Sequence, residues 1–200
     1  MPARQLLAVA AVASTLLLAG CGGKDDEPAL GTTTTSTETT GTTTGTTTTG
    51  LEGASTEPSI ASATGEEVAL LTHVRAARHE GYDRVVFEFR NLAPGYDVRY
   101  VQKPVHADGS GAEVAVDGSA VLRVRMEPAL DADLNQESAP RTYLGPQRFT
   151  PDAAVVAELV RTGGFEAVLT WAVGVDERRP FKVTRLASPA RIVIDISSEP

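Results

Sequence analysis

The run His106-Ala107-Asp108-Gly109-Ser110 puts an imidazole, a carboxylate and a hydroxyl close together, the three groups that acyl transfer uses. It lacks the G-x-S-x-G spacing and the strand-to-helix setting that expose a nucleophilic serine, so it reads as a flexible polar loop. Asp131, Asp133 and Asn135 have the opening spacing of a calcium loop. Gln136 then stands where that loop needs Gly, and Thr142 where it needs Glu. A solvated loop is the better reading. The three histidines, His73, His79 and His106, show no metal-ligand spacing. No carboxylate pair can be set across a cleft from sequence. The chain is therefore expected to be no enzyme, with no metal and no cofactor. Aromatic side chains offer other chemistry, because sugar rings stack on flat apolar faces. Tyr96 and Tyr100 share one face of an expected strand, with Arg99 opposite, and are candidate ligand-binding residues together with Tyr143 and Trp171. Packing with the polar tip in water is the competing role for each.

The single cysteine, Cys21, follows an apolar run over residues 6–18 that is itself preceded by Arg4. A positive start, an apolar run of roughly 7–15 residues and then small residues make a secretory signal. A membrane span needs about 20 apolar residues. Leu18-Ala19-Gly20-Cys21 resembles the lipobox of bacterial lipoproteins. That resemblance implies removal of residues 1–20 as a signal peptide and lipid attachment at Cys21, by acyl chains such as palmitate. Two or more chains anchor stably where one is marginal, so the membrane is the first expected partner. The expected location is the extracytoplasmic face of the cell membrane. No thiol is then left for a disulfide or for catalysis. Residues 21–65 follow as a Thr/Gly/Ser-rich stretch with little to bury, expected to be a disordered tether. As a coil of about 45 residues it would span roughly 35–40 Å.

The elements that must position any site lie in residues 66–200, expected to form one domain. The chain has a net charge of −8, and no basic patch marks a nucleic-acid partner. "GYDRVVFEFRN" alternates Asp83, Val85, Phe87 and Phe89 against Arg84, Val86, Glu88 and Arg90, the period of a half-buried strand. A strand over 68–78 precedes it across a Gly-containing hairpin loop. Strands are also read at 95–101, at 112–116 and 120–126 around the hairpin signal Asp117-Gly118, and at 180–186 and 190–197. In the last of these Ile192, Ile194 and Ile196 face one way. Asp195 is placed opposite them, facing solvent or accepting from an arginine such as Arg84. A long excursion over 127–151 is expected to hold a short strand near 141–144. Residues 151–161 fit a helix or a strand, and the strand is preferred because "FEAVLTWAVGV" behind it would complete a hairpin. The fold class is all-β, an antiparallel sandwich or barrel.

The succession "HEGYDRVVFEF", "PGYDVRYV", "RTYLGPQRFTP" and "FEAVLTWAVGVDERRPFKVTRLASPARIVIDI" resembles the AMIN-like domain of actinobacterial lipoproteins over about residues 66–198. That family is similar to the AMIN domain of periplasmic cell-wall proteins. The resemblance implies an antiparallel β-sandwich of two small sheets that binds peptidoglycan or another cell-wall polymer without catalysis. It assigns no binding residues. A protein-interaction or scaffold module recognising an envelope protein through an exposed strand edge is the alternative. A small-ligand carrier with an enclosed cavity is a third.

Overall fold

The structure, a computed structural model, describes residues 51–199. The expected signal peptide, Cys21 and the part of the expected tether up to residue 50 lie outside the described residues. The strands are β1 (Ser59–Ala61), β2 (Ala69–His79), β3 (Tyr82–Phe89), β4 (Gly95–Val101), β5 (Val105–His106), β6 (Glu113–Val114), β7 (Ala120–Glu127), β8 (Ala129–Leu130), β9 (Arg148–Phe149), β10 (Val156–Phe165), β11 (Val168–Val175), β12 (Phe181–Ala187) and β13 (Ala190–Ser197). They make a six-stranded sheet in the order β1-β4-β7-β11-β10-β9, a five-stranded sheet in the order β12-β13-β3-β2-β8, and the two-stranded hairpin β5-β6. All pairings are antiparallel except the short β2–β8 contact.

Alternation along the strands decides which face of each sheet is dry. On β3, Asp83, Val85, Phe87 and Phe89 are buried, and on β13 Ile192, Ile194 and Ile196 show no exposed surface. These meet Leu122, Val124, Met126, Leu169, Trp171 and Val173 of the six-stranded sheet in one core. Phe87 meets Trp171 edge-on across the two sheets, with ring centroids 5.9 Å apart. The chain is thus an all-β sandwich, as the period-2 pattern predicts. A polar lock joins the sheets. The buried Asp83 carboxylate accepts from the backbone N–H groups of Ala154 (3.0 Å), Val155 (2.6 Å) and Val156 (2.9 Å), which ties β3 to the entry of β10.

Four details depart from or settle the sequence expectations. Residues 51–65, expected to be the end of the tether, belong to the fold. Ser59–Ala61 pairs with β4, Ser55 bridges to Phe181 of β12, and Arg185 donates to the Ser62 carbonyl at 2.7 Å. This strap lies along one edge of each sheet. Its sparse apolar content hides it in the sequence, because backbone pairing rather than burial holds it. The second departure is at Asp117-Gly118, where no hairpin forms. Glu113 and Val114 pair instead with His106 and Val105, because Val114 and Val116 find an apolar seat on Val121, Val160 and Ala172. Third, the strand expected near 141–144 reduces to a single bridge between Ala132 and Arg141. Fourth, residues 156–165 are strand β10 and not helix.

Candidate functional site

The four aromatic candidates fall on the inner side of the sandwich or at its rim. Trp171 has no exposed surface and Tyr143 only 3 %. They meet edge-on, with centroids 5.8 Å apart, and the Tyr143 hydroxyl donates to the Pro146 carbonyl at 2.7 Å. Neither ring has a free face for a ligand, so both are corrected to core residues. Tyr96 and Tyr100 share a face, as the alternation predicts, but it is the face turned to the core. Their register partners on β7 are the fully buried Met126 and Leu122. The Tyr100 hydroxyl donates to the Arg179 carbonyl (2.8 Å) and accepts from the Arg179 N–H (2.9 Å). Its ring is covered by the Arg178 guanidinium at 5.2 Å. Burial raises the Tyr100 phenol above the ordinary tyrosine pKa, and does the same for Tyr143.

The polar chemistry stands on the opposite side of the same strands. Register puts Ile60, Asp97, Arg125 and Thr170 in one row across β1, β4, β7 and β11, with Arg99 and Arg123 paired in the next row. Arg99 donates to Asp97 at 2.6 Å, a bond that raises the guanidinium pKa. Arg123 reaches the same carboxylate only at 3.6 Å, and Arg125 pairs with Glu127. Three guanidinium groups therefore share a short stretch of sheet with two carboxylates. At the β1 end an open groove of about 430 Å³ lies beside Ile60, Asp97 and Arg125. Ile60 is 63 % exposed there.

At the β10 end the segment between β4 and β7 folds back over the sheet as a flap carrying β5 and β6. Two contacts hold its tip and its root. The Asp108 N–H donates to the Thr162 carbonyl at 2.8 Å, while Glu158 accepts from the Asp117 N–H at 3.1 Å and from Arg148 at 2.6 Å. Between flap and sheet remains a cleft of about 230 Å³, bordered by His106 and Asp108 from the flap and by Arg123, Thr162 and Thr170 from the sheet. Among the described residues, Arg123 Nε and Thr170 Oγ1 are buried without any hydrogen-bond partner. Such groups are rare in folded proteins because each costs the lost hydration. Outside the core, these are the orphaned side-chain atoms among the described residues, and both belong to residues that line this cleft. The third, Trp171 Nε1, lies among the core rings.

Sequence reasoning named His106 and Asp108 as a loop and passed over Arg123, Arg125 and Thr170. The signal that could have found them is the alternation in "VLRVRM", which sets two arginines on one face of a strand whose other face is apolar. The carboxylates with calcium-loop spacing lie elsewhere and have cationic neighbours. Asp131 takes Arg141 and Arg161 at 2.9 and 2.8 Å. Asp133 takes Gln136 at 2.6 Å and Arg90 at 3.2 Å. The bond from Gln136, with help from Arg90, holds its carboxyl below the usual carboxylate range.

The model of the AMIN-like domain matches residues 69–198, from the first residues of β2 to the end of β13. The chain belongs to the AMIN-like domain family. Comparison with curated proteins and with solved structures gave no match. AMIN-like domains occur in extracytoplasmic envelope proteins and are generally non-catalytic binding or scaffold modules related to the cell wall. The strap, with β1, lies N-terminal to the matched stretch, so one wall of the groove beside Ile60 is supplied from outside the AMIN-like domain as matched. The cleft under the flap falls wholly within it.

Proposed function

We propose that the chain is a surface lipoprotein, anchored by lipidated Cys21 at the extracytoplasmic face of the cell membrane. In this reading its AMIN-like domain binds cell-wall glycan or peptidoglycan without catalysing a reaction on it. The observation that carries the wall-binding reading is the lane on the outer face of the six-stranded sheet. It runs from the open Ile60 groove past Arg99, Arg123 and Arg125, whose side chains are 36 %, 38 % and 40 % exposed, to the mouth of the flap cleft. On a chain of net charge −8, an arginine-bearing lane offers an anionic polymer a local cationic place to dock. Guanidinium groups suit carboxylates through their fixed fork of donors. The anchoring half rests on the sequence around Cys21.

A partner protein adding a strand is less well served. The strap shields the β4 and β12 edges, and β8 and β9 shorten the edges of β2 and β10. Two measurements test the proposal. Cys21→Ala should move the protein from the membrane fraction to the soluble fraction, and unchanged membrane retention would remove the lipoprotein claim. Residues 21–200 carrying Cys21→Ser, which lacks only the lipid, should be retained saturably on purified, protein-free sacculi. Passage without retention would turn the search toward an envelope protein.

A further inference from the structure

The cleft under the flap holds a separated pair of opposite charges. Arg123 stands on β7 and Asp108 at the flap tip, with Thr170 of β11 between them. Thr170 is the register partner of Gly163 on β10, and the Asp108 carboxylate lies against Gly163, where a Cβ would collide with it. The glycine thus makes room for a carboxylate beside the Thr170 side chain. Arg123, two residues along β7 from Arg125, the register partner of Thr170, flanks the threonine from the other side. Cation, hydroxyl and carboxylate therefore follow one another across β7, β11 and β10.

These groups do not satisfy each other. Among the described residues no ion pair joins Arg123 to Asp108, and no hydrogen bond reaches the Asp108 carboxylate. Arg123 Nε and Thr170 Oγ1 are buried and unpartnered. Thr170 is 2 % exposed, so solvent does little to make up the loss. Elsewhere on the domain charges close on one another, as Arg148 does on Glu158 at 2.6 Å. The space between is about 230 Å³, below the roughly 300–1,000 Å³ of sites for drug-sized ligands. It admits one head group and not a length of polymer.

We propose that this cleft binds the zwitterionic head group of an α-amino acid. The ligand carboxylate accepts from Arg123 Nε and the Thr170 hydroxyl, and the ligand ammonium donates to Asp108. Ala172, Val121 and Val105 form the apolar part of the wall and take the carbon chain. A sugar hydroxyl would meet Arg123 and Thr170 as a neutral acceptor and leave Asp108 without a cation, so the charge arrangement favours the amino-acid end of a wall peptide over the glycan ring. The inference rests on the wall-binding reading for its biological setting, but the chemistry of the cleft stands apart from it.

The test is an amide NMR titration of residues 21–200 carrying Cys21→Ser, with meso-diaminopimelate as probe. The same titration uses its N,N′-diacetyl derivative and N-acetylglucosamine as comparators. Diaminopimelate should give saturable shifts centred on residues 106–108, 123 and 170. Acetylation should weaken binding by about tenfold or more, and N-acetylglucosamine should leave these amides unmoved. Arg123→Gln and Asp108→Asn should each weaken diaminopimelate by about tenfold or more while leaving the unfolding midpoint in place. Absence of shifts at the cleft, equal binding of the acetylated probe, or equal binding by both variants would overturn the assignment. If sacculi retain the protein and the cleft does not respond, this inference fails and the wall-binding reading stands. If the cleft titrates and sacculi do not retain the protein, the reverse holds.

Discussion

On the outer face of the five-stranded sheet, Arg84 donates to both oxygens of Asp195, at 2.6 and 2.9 Å, across a directly opposed pair of β3 and β13. Two rows along, Glu88 takes Arg75 at 3.0 Å, with His73 at 3.7 Å from the same carboxylate. Between these rows Val86 and Val193 are only 6 % and 4 % exposed. The outer face of the six-stranded sheet carries arginines at comparable density and leaves one of them half used. Arg123 holds Asp97 loosely, its Nε has no partner, and the Thr170 hydroxyl beside it has none either. The same residue types close one face on itself and leave the other poised for something else. Polar groups that are buried and unpaired reduce stability, and proteins keep that cost where function uses it.

Mutations can break or sharpen this contrast. The largest effect is expected at a fully satisfied group. Asp83→Ala leaves three backbone N–H groups without their acceptor, two of them buried, and should lower stability by about 3–5 kcal/mol, read from denaturant unfolding. On the closed outer face, Asp195→Ala should cost about 1–2 kcal/mol, because the pair has two bonds but its Arg84 side chain is 38 % exposed. That variant should leave sacculus binding unchanged. On the open face the sign turns. Thr170→Val removes an orphaned hydroxyl at nearly constant volume and should raise stability by about 1 kcal/mol while it weakens amino-acid binding. A loss of stability there would mean that Thr170 has a partner and that the contrast is false. Arg123→Gln should stay within about 0.5 kcal/mol of the parent.

The smallest effect is spectroscopic and concerns the inner side of the same strands. Tyr100 and Tyr143, whose phenols burial raises, should ionise above the ordinary tyrosine range, measured by tyrosinate absorbance. The folded chain holds these protons longer than the unfolded chain. Their contribution is therefore complete below the ordinary tyrosine pKa and fades as pH rises through the raised values. Ionisation of all four tyrosines in one step at the ordinary value would contradict the buried placement.

Much of the sandwich was legible because its strands alternate cleanly. Asp83 to Phe89 and Ile192 to Ile196 show in sequence the faces they use in the fold, and the Arg84–Asp195 pair was within reach of the same reasoning. Alternation says that Tyr96 and Tyr100 share a face and that Arg99 does not. It does not say which face meets the other sheet, and here the tyrosines turn inward. The strap and the flap were hidden for a different reason. Both are held by backbone pairing and by a few small side chains at long sequence separation, such as Ser55 with Phe181 and Val116 with Val160. No local period records those contacts. The cleft followed the flap into obscurity, since its polar groups come from three strands and a loop tip.

The central claim is that the outer face of the six-stranded sheet, and not that of the five-stranded sheet, meets the cell wall. Retention on protein-free sacculi should be compared for two charge reversals in the Cys21→Ser chain, Arg99→Glu/Arg125→Glu on the first face and Arg75→Glu/Arg191→Glu on the second. Retention should fall by about tenfold or more for the first pair and change little for the second. Equal loss in both, or loss confined to the second pair, would contradict that claim.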